Sequence, residues 1–142
     1  MAKFIPDFPS AFSFVTTIPV RITDLNYGGH VGNDRILSII HEARMQYLNK
    51  LGLSELSFGG AGLILKQVSI DFMKELFYGD NLQVSVAAGE FATVAFALFY
   101  KLEVIQESGR ATAAMAKTTM VCYDYEKKKV SLLKDDIKQM LV

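Results

Sequence analysis

A chain of 142 residues, 51% hydrophobic and 21% charged, has the size and composition of one globular domain and not of a disordered chain. Fifteen basic residues balance fifteen acidic ones, so no global field would hold nucleic acid or an anionic membrane. The single cysteine, Cys122, rules out a disulfide or a Cys-type zinc site within this chain and points to a reducing, cytoplasmic setting.

Met1 to Pro9 carry one lysine and two prolines around no apolar core, unlike a signal peptide. No run approaches the ~18 apolar residues of a membrane span. Residues 1–10 are therefore expected to form an N-terminal arm, the least ordered piece of a single domain over 1–142. Phe12 to Ile22 reads as a first strand, with Val20 and Ile22 on one face and Pro19 marking a bend or an edge. The glycines of Asn26 to Asn33 mark a loop, after which Asn33 is placed as the N-cap of a helix with Asp34 in its first turn.

From Asp34 to Leu51, Ile36, Ile39, Ile40, Ala43, Tyr47 and Leu51 recur at three- and four-residue steps, and Gly52 supplies the stop. Strands are predicted over Leu63 to Met73, Leu82 to Val86, Val94 to Ile105 and Thr112 to Tyr125. A short strand at Val130 to Leu133 and a terminal helix from Asp135 follow. The expected fold is α+β, with a curled antiparallel meander of five or six strands wrapped around one long central helix. One helix cannot cover both faces of such a sheet, so a homodimer or a dimer of dimers is expected; the alternative is that the apolar strands only complete a monomer core.

With the order of elements in place, certain residues become recognisable. Thr23-Asp24-Leu25-Asn26-Tyr27-Gly28-Gly29-His30-Val31-Gly32-Asn33, followed by His41-Glu42-Ala43-Arg44, resembles the TD-x-x-GHVNN…EAR signature of the 4-hydroxybenzoyl-CoA thioesterase superfamily. Ile70 to Leu82 is similar to that family's strand–turn–strand ending in GD-x-L. The resemblance spans roughly residues 12 to 133 and implies a hotdog fold and hydrolysis of an acyl thioester, an acyl-CoA or an acyl-ACP. Coenzyme A would enter only as part of the substrate, with no separate cofactor.

One position departs from the family pattern. The acidic residue expected four positions before His30 falls on Asn26, whose amide is no proton acceptor at neutral pH. Asp24, two residues earlier, is a candidate displaced base or a turn aspartate satisfying backbone N–H groups. Thioester hydrolysis also needs donors for the developing oxyanion, and the free amides around Gly32, Asn33 and Asp34 at the helix start would supply them. Gly28, Gly29 and Gly32 would let a substrate approach, with Val31 beside it, unless they only build a tight loop. His30 would polarise water or orient a carboxylate, or else be a packed histidine. Asn26 would position water or donate to the carbonyl, or be an Asx-turn residue.

Glu42 sits ~13 Å along the helix from its start, too far for a carbonyl held there, but within reach of a site shared with a second subunit. The alternative is a solvated or interface glutamate. His41 and Glu42 are not on one helix face and no HExxH spacing occurs, so no metal site is expected. Two other functions remain open: a non-hydrolytic acyl-thioester binding protein, to which Asn26 points, and a hotdog dehydratase using His30 with Glu42.

Overall fold

The computed structural model of the chain describes residues 5–142. The strands are β1 (Phe14–Pro19), β2 (Gly62–Phe72), β3 (Asn81–Gly89), β4 (Ala95–Gln106), β5 (Gly109–Asp124) and β6 (Lys129–Val130), and the helices α1 (Asn33–Lys50) and α2 (Asp135–Leu141). All pair antiparallel in one six-stranded sheet of order β1-β3-β4-β5-β2, with β6 on β5. This is the curled sheet around one long helix that the family resemblance implies. The simple meander is corrected: β3 to β6 are sequential neighbours, but β2 does not pair with β3 and crosses to pair with β5, Phe72 opposite Ala114. Loop glycines mark turns but carry no information on which strand receives the next one.

The end of β1 also differs from expectation. The strand stops at Pro19, the chain turns through a 3₁₀ segment at Ile22–Asp24, and Ile22 is exposed while Val20 is buried. Pro19 supplies no N–H to a ladder, so it sits at a strand end.

Helix α1 buries Ile36, Ile39, Ile40, Ala43, Tyr47 and Leu48 against the concave face of the sheet. Its partners there include Leu82, Val84, Leu98, Tyr100, Leu102 and Met120, all fully buried, each worth about 2–3 kcal/mol of hydrophobic stabilisation. Arg44 shares the buried stripe because its charge is matched. Its Nε lies 3.5 Å from a Glu55 carboxylate oxygen and its Nη1 donates to the Tyr100 hydroxyl at 3.3 Å. That hydroxyl pairs in turn with Thr118 Oγ1 at 2.7 Å. Burial pushes the Tyr100 pKa up, against the pull of the Arg44 charge. His41 Nε2 meets the same Glu55 carboxylate at 2.8 Å, fastening the α1–β2 loop to the helix.

The N-terminal arm, expected to be least ordered, is packed where it is described. Ile5 is buried on the convex face with Phe99, Ala97 and Met115, and Phe8 stands edge-on to Phe99 at 5.8 Å. The apolar side chains of Ile5 and Phe8 anchor it. Residues 1–4 lie outside the described residues.

A bulge in β5 shapes one end of the sheet. Between Leu102↔Ala114 and Glu103↔Thr112 the register gains Ala113, whose carbonyl accepts both the Met73 and Lys74 amides, at 2.8 and 3.1 Å. The extra residue ends the β2–β5 ladder and turns the β2–β3 connection toward the start of α1.

Candidate active site

The loop between β1 and α1 is a small hairpin closed by a bridge between Leu25 and Val31. Within it the Asn26 amide donates to the His30 carbonyl at 2.9 Å and the Gly29 amide to the Asn26 carbonyl at 3.2 Å, with Gly29 at a φ of +84° that favours glycine. The Asn26 side-chain oxygen accepts the Gly28 amide at 2.8 Å, an Asx turn, so Nδ2 is the end of that amide not engaged by the turn. The Val31 amide donates to the Leu76 carbonyl at 2.8 Å and stitches this hairpin to the β2–β3 connection.

Helix α1 starts one residue earlier than its sequence suggests. Gly32 is the N-cap, and no side chain caps it. Asn33 was the plausible cap by residue type, yet the extended backbone at Gly32, φ −72° and ψ 154°, puts Asn33 in the first turn. The Arg35 and Ile36 amides donate to the Gly32 carbonyl at 3.0 and 3.3 Å. The amides of Asn33 and Asp34 precede the first intrahelical bonds and have no acceptor within the helix. The Gly32 amide itself points back to the Asp24 carbonyl at 3.4 Å.

His30 Nδ1 lies 3.3 Å from the Val31 carbonyl, a contact that requires Nδ1 to be the donor. In the neutral ring Nε2 then keeps its lone pair. A Cβ on Gly28 would fall 3.5 Å from that Nε2 and 3.1 Å from Asn26 Oδ1, so glycine leaves the two side chains flanking one gap. A groove of about 290 Å³ opens beside His30, with His30, Val31, Asn33 and Ile36 on the helix side and the segment Phe72 to Leu76, including Lys74 and Glu75, with Ala113 on the sheet side.

The structure separates the other two candidates from this gap. Asp24 is buried at the end of the 3₁₀ turn, where Oδ2 accepts the Arg21 amide at 2.8 Å and Oδ1 lies 3.6 Å from the Arg21 guanidinium. Glu42 is exposed, accepts Gln46 Nε2 at 2.7 Å, and lines a different groove of about 220 Å³ with Thr17, Arg21 and Ser38. Among the described residues no cluster of three or more His, Cys, Asp or Glu side chains could hold a metal ion.

Sequence reasoning missed the sheet-side wall, Phe72 to Leu76 with Ala113. Its only signal was the position of the second family motif, whose loop meets the first through Val31 and Leu76. It also took Asp34 only as a first-turn acid, although its carboxylate folds back over Gly32.

A family model described as the thioesterase-like superfamily matches residues 20–141, which include the hairpin, α1 and the whole of β2 to β5. The chain belongs to this superfamily. The 1,4-dihydroxy-2-naphthoyl-CoA hydrolase of Nostoc punctiforme is 27% identical over 132 residues, covering 91% of this chain and 86% of that protein. The crystal structure of a 1,4-dihydroxy-2-naphthoyl-CoA thioesterase from Synechocystis aligns with a TM-score of 0.79 at 25% identity, over 90% of this chain and 94% of that one. An Asp-to-Asn mutant of 4-hydroxybenzoyl-CoA thioesterase, solved with 4-hydroxybenzoyl-CoA, aligns with a TM-score of 0.83 at 17% identity, over 93% of this chain and all of that one. At that identity the likeness is one of fold.

Proposed function

We propose that this superfamily member hydrolyses an acyl-CoA thioester to the free acid and coenzyme A, in the groove at the start of α1. The observation that carries this reading is the uncapped start of α1, with the Asn33 and Asp34 amides free, beside a groove lined by His30 and Asn33 on the helix side and by Phe72 to Leu76 on the far side. Two preorganised N–H groups at a helix start stabilise the oxyanion that forms when a thioester carbonyl is attacked. The Asn26 Nδ2 donates to that carbonyl or to the attacking water, and His30 Nε2 accepts a hydrogen bond from the water. Gly28, Gly29 and Gly32 keep the approach clear, and Val31 forms part of the wall. The CoA thioesters named for the relatives from Nostoc and Synechocystis support CoA over an acyl carrier protein as the carrier to test first.

We place a second copy of the chain on the unpaired side of β2, where Val68 and Phe72 are exposed, so that the working form is a homodimer or a dimer of dimers. Such a partner offers the one route by which a Glu42 carboxylate reaches a groove from which its own chain keeps it apart. The buried free thiol of Cys122 fits a reducing cytoplasm, and no described helix is long and apolar enough to cross a membrane.

Asn26 in place of a carboxylate favours one second reading, an acyl-thioester binder that does not turn over. Purified protein assayed against aromatic and aliphatic acyl-CoAs for thiol release separates the two. Hydrolysis above the buffer rate supports the enzyme, whereas tight binding without thiol release replaces it with the binder.

A further inference from the structure

His30 Nε2 can orient the attacking water, and the start of α1 adds a carboxylate that can take its proton. A Cβ added at Gly32 would fall 2.7 Å from Asp34 Oδ1 and 3.7 Å from Asn26 Cβ. The Asp34 carboxylate therefore folds back over the N-cap, into the space that the Asn26 side chain also borders. Its ion pair is a long one, 3.9 Å to Arg35 Nε, and its side chain is 83% exposed. Of the other nearby carboxylates, Asp24 is held in the Arg21 turn and Glu42 lies over its own groove, while Glu75 stands on the sheet-side wall, across the groove from the helix start.

We propose that Asp34 is the general base of this site, a carboxylate that reaches the gap beside Asn26 from the first turn of the helix. The proposal rests on the thioesterase reading. Water attacks the carbonyl carbon and Asp34 takes one of its protons, while the carbonyl π pair moves to the oxygen, which the Asn33 and Asp34 amides hold. Collapse of the intermediate breaks the C–S bond, and the proton on Asp34 passes to the departing sulfur, giving the thiol and restoring the carboxylate. Because the base is neutral while the oxyanion exists, the two negative charges do not face each other. The same geometry explains why glycine precedes Asn33: a side chain at that position would occupy the place of the carboxylate.

The test compares the full-length wild type with Asp34→Asn, with Asn26→Asp, and with the two combined, by thiol release from the best acyl-CoA of the panel. Asp34→Asn is expected to lower kcat by roughly 10²–10⁴-fold with KM nearly unchanged, the usual loss of a positioned base. Adding Asn26→Asp to it is expected to recover at least about tenfold, since a carboxylate then reaches the same gap from the loop. Should Asp34→Asn fail to fold, Asp34→Ser, which keeps a residue suited to a helix start, carries the same comparison. A wild type that hydrolyses, beside an Asp34→Asn variant within about threefold of it, overturns the base assignment and leaves the thioesterase standing. A loss that Asn26→Asp does not recover at all would be a defect of the helix start, and also overturns it. A wild type that hydrolyses none of the panel overturns both.

Discussion

Removing the charge of Glu55 should destabilise this protein more than removing that of Arg44, although the two form one ion pair. Arg44 is 3% exposed and Glu55 is about one-fifth exposed at its side chain, so the pair is lopsided. At 3.5 Å and an effective dielectric of about 20, their attraction is about 5 kcal/mol before desolvation is counted. Glu55→Gln keeps an acceptor for His41 but leaves the buried guanidinium, whose Nε already lacks a hydrogen-bond partner and whose Nη1 bonds only the Tyr100 hydroxyl, without its counter-charge. Breaking a buried pair from one side costs about 3–5 kcal/mol, and water reaching Glu55 brings the expectation to about 2–3 kcal/mol. Arg44→Met fills the same stripe without charge and leaves Glu55 able to hydrate, so the expected cost is about 1 kcal/mol or less. Urea unfolding at one fixed protein concentration reads both, and in a chain of this size each kcal/mol moves Tm by roughly 3–4 °C. If Arg44→Met is as damaging as Glu55→Gln, the pair is not held by the charge asymmetry described above.

Gly32→Ala has an allowed backbone conformation, so Tm should hold or rise slightly, yet its Cβ displaces the Asp34 carboxylate and turnover should fall at least about tenfold. Unchanged kinetics would show that the carboxylate has no task there. Burial pushes the Tyr47 hydroxyl, which donates to the Leu141 carbonyl at 2.7 Å, up to about 12. Its contribution is full below the unfolded value of about 10 and is lost as pH rises through about 12, because the unfolded chain releases its proton first. In Tyr47→Phe, Tm measured from pH 9 to 12 should therefore fall less steeply than in the wild type; parallel curves would contradict this. Sedimentation at micromolar concentration is expected to find a dimer or tetramer, and a 15.8 kDa species would remove the second copy from the β2 edge.

Much of this molecule could be read from its residues, because local signals suffice for local structure. The spacing of Ile36, Ile40, Ala43 and Tyr47 located α1, and the turn at Gly109 located the β4–β5 hairpin. What could not be read depends on partners distant in sequence. Strand β2 could have paired with β3 on any local criterion, and its place on β5 is set by a partner more than 40 residues away. Arg44 entered only as the last residue of a family signature, and its burial depends on the Glu55 charge and the Tyr100 hydroxyl, both distant in sequence. The helix-start loop was legible as a candidate site because its glycines and His30 are contiguous. Its sheet-side wall was not, since the bulge at Ala113 that aims Met73 and Lys74 leaves no mark in composition.

The crossing of β2 to β5 also governs when the groove comes into being. Its helix-side residues, His30 to Ile36, emerge in the first quarter of the chain, but Phe72 is fixed only by pairing with Ala114. A growing chain that has completed the hairpin, α1 and even β3 and β4 still has half a groove, with the apolar edge of β2 unpaired. Distant pairings of this kind close late and slowly in folding, on a scale of milliseconds to seconds for sheet-rich domains. Substitutions that weaken the β2–β5 seam should therefore lower the yield of active molecules during synthesis more than the activity of each molecule that finishes folding.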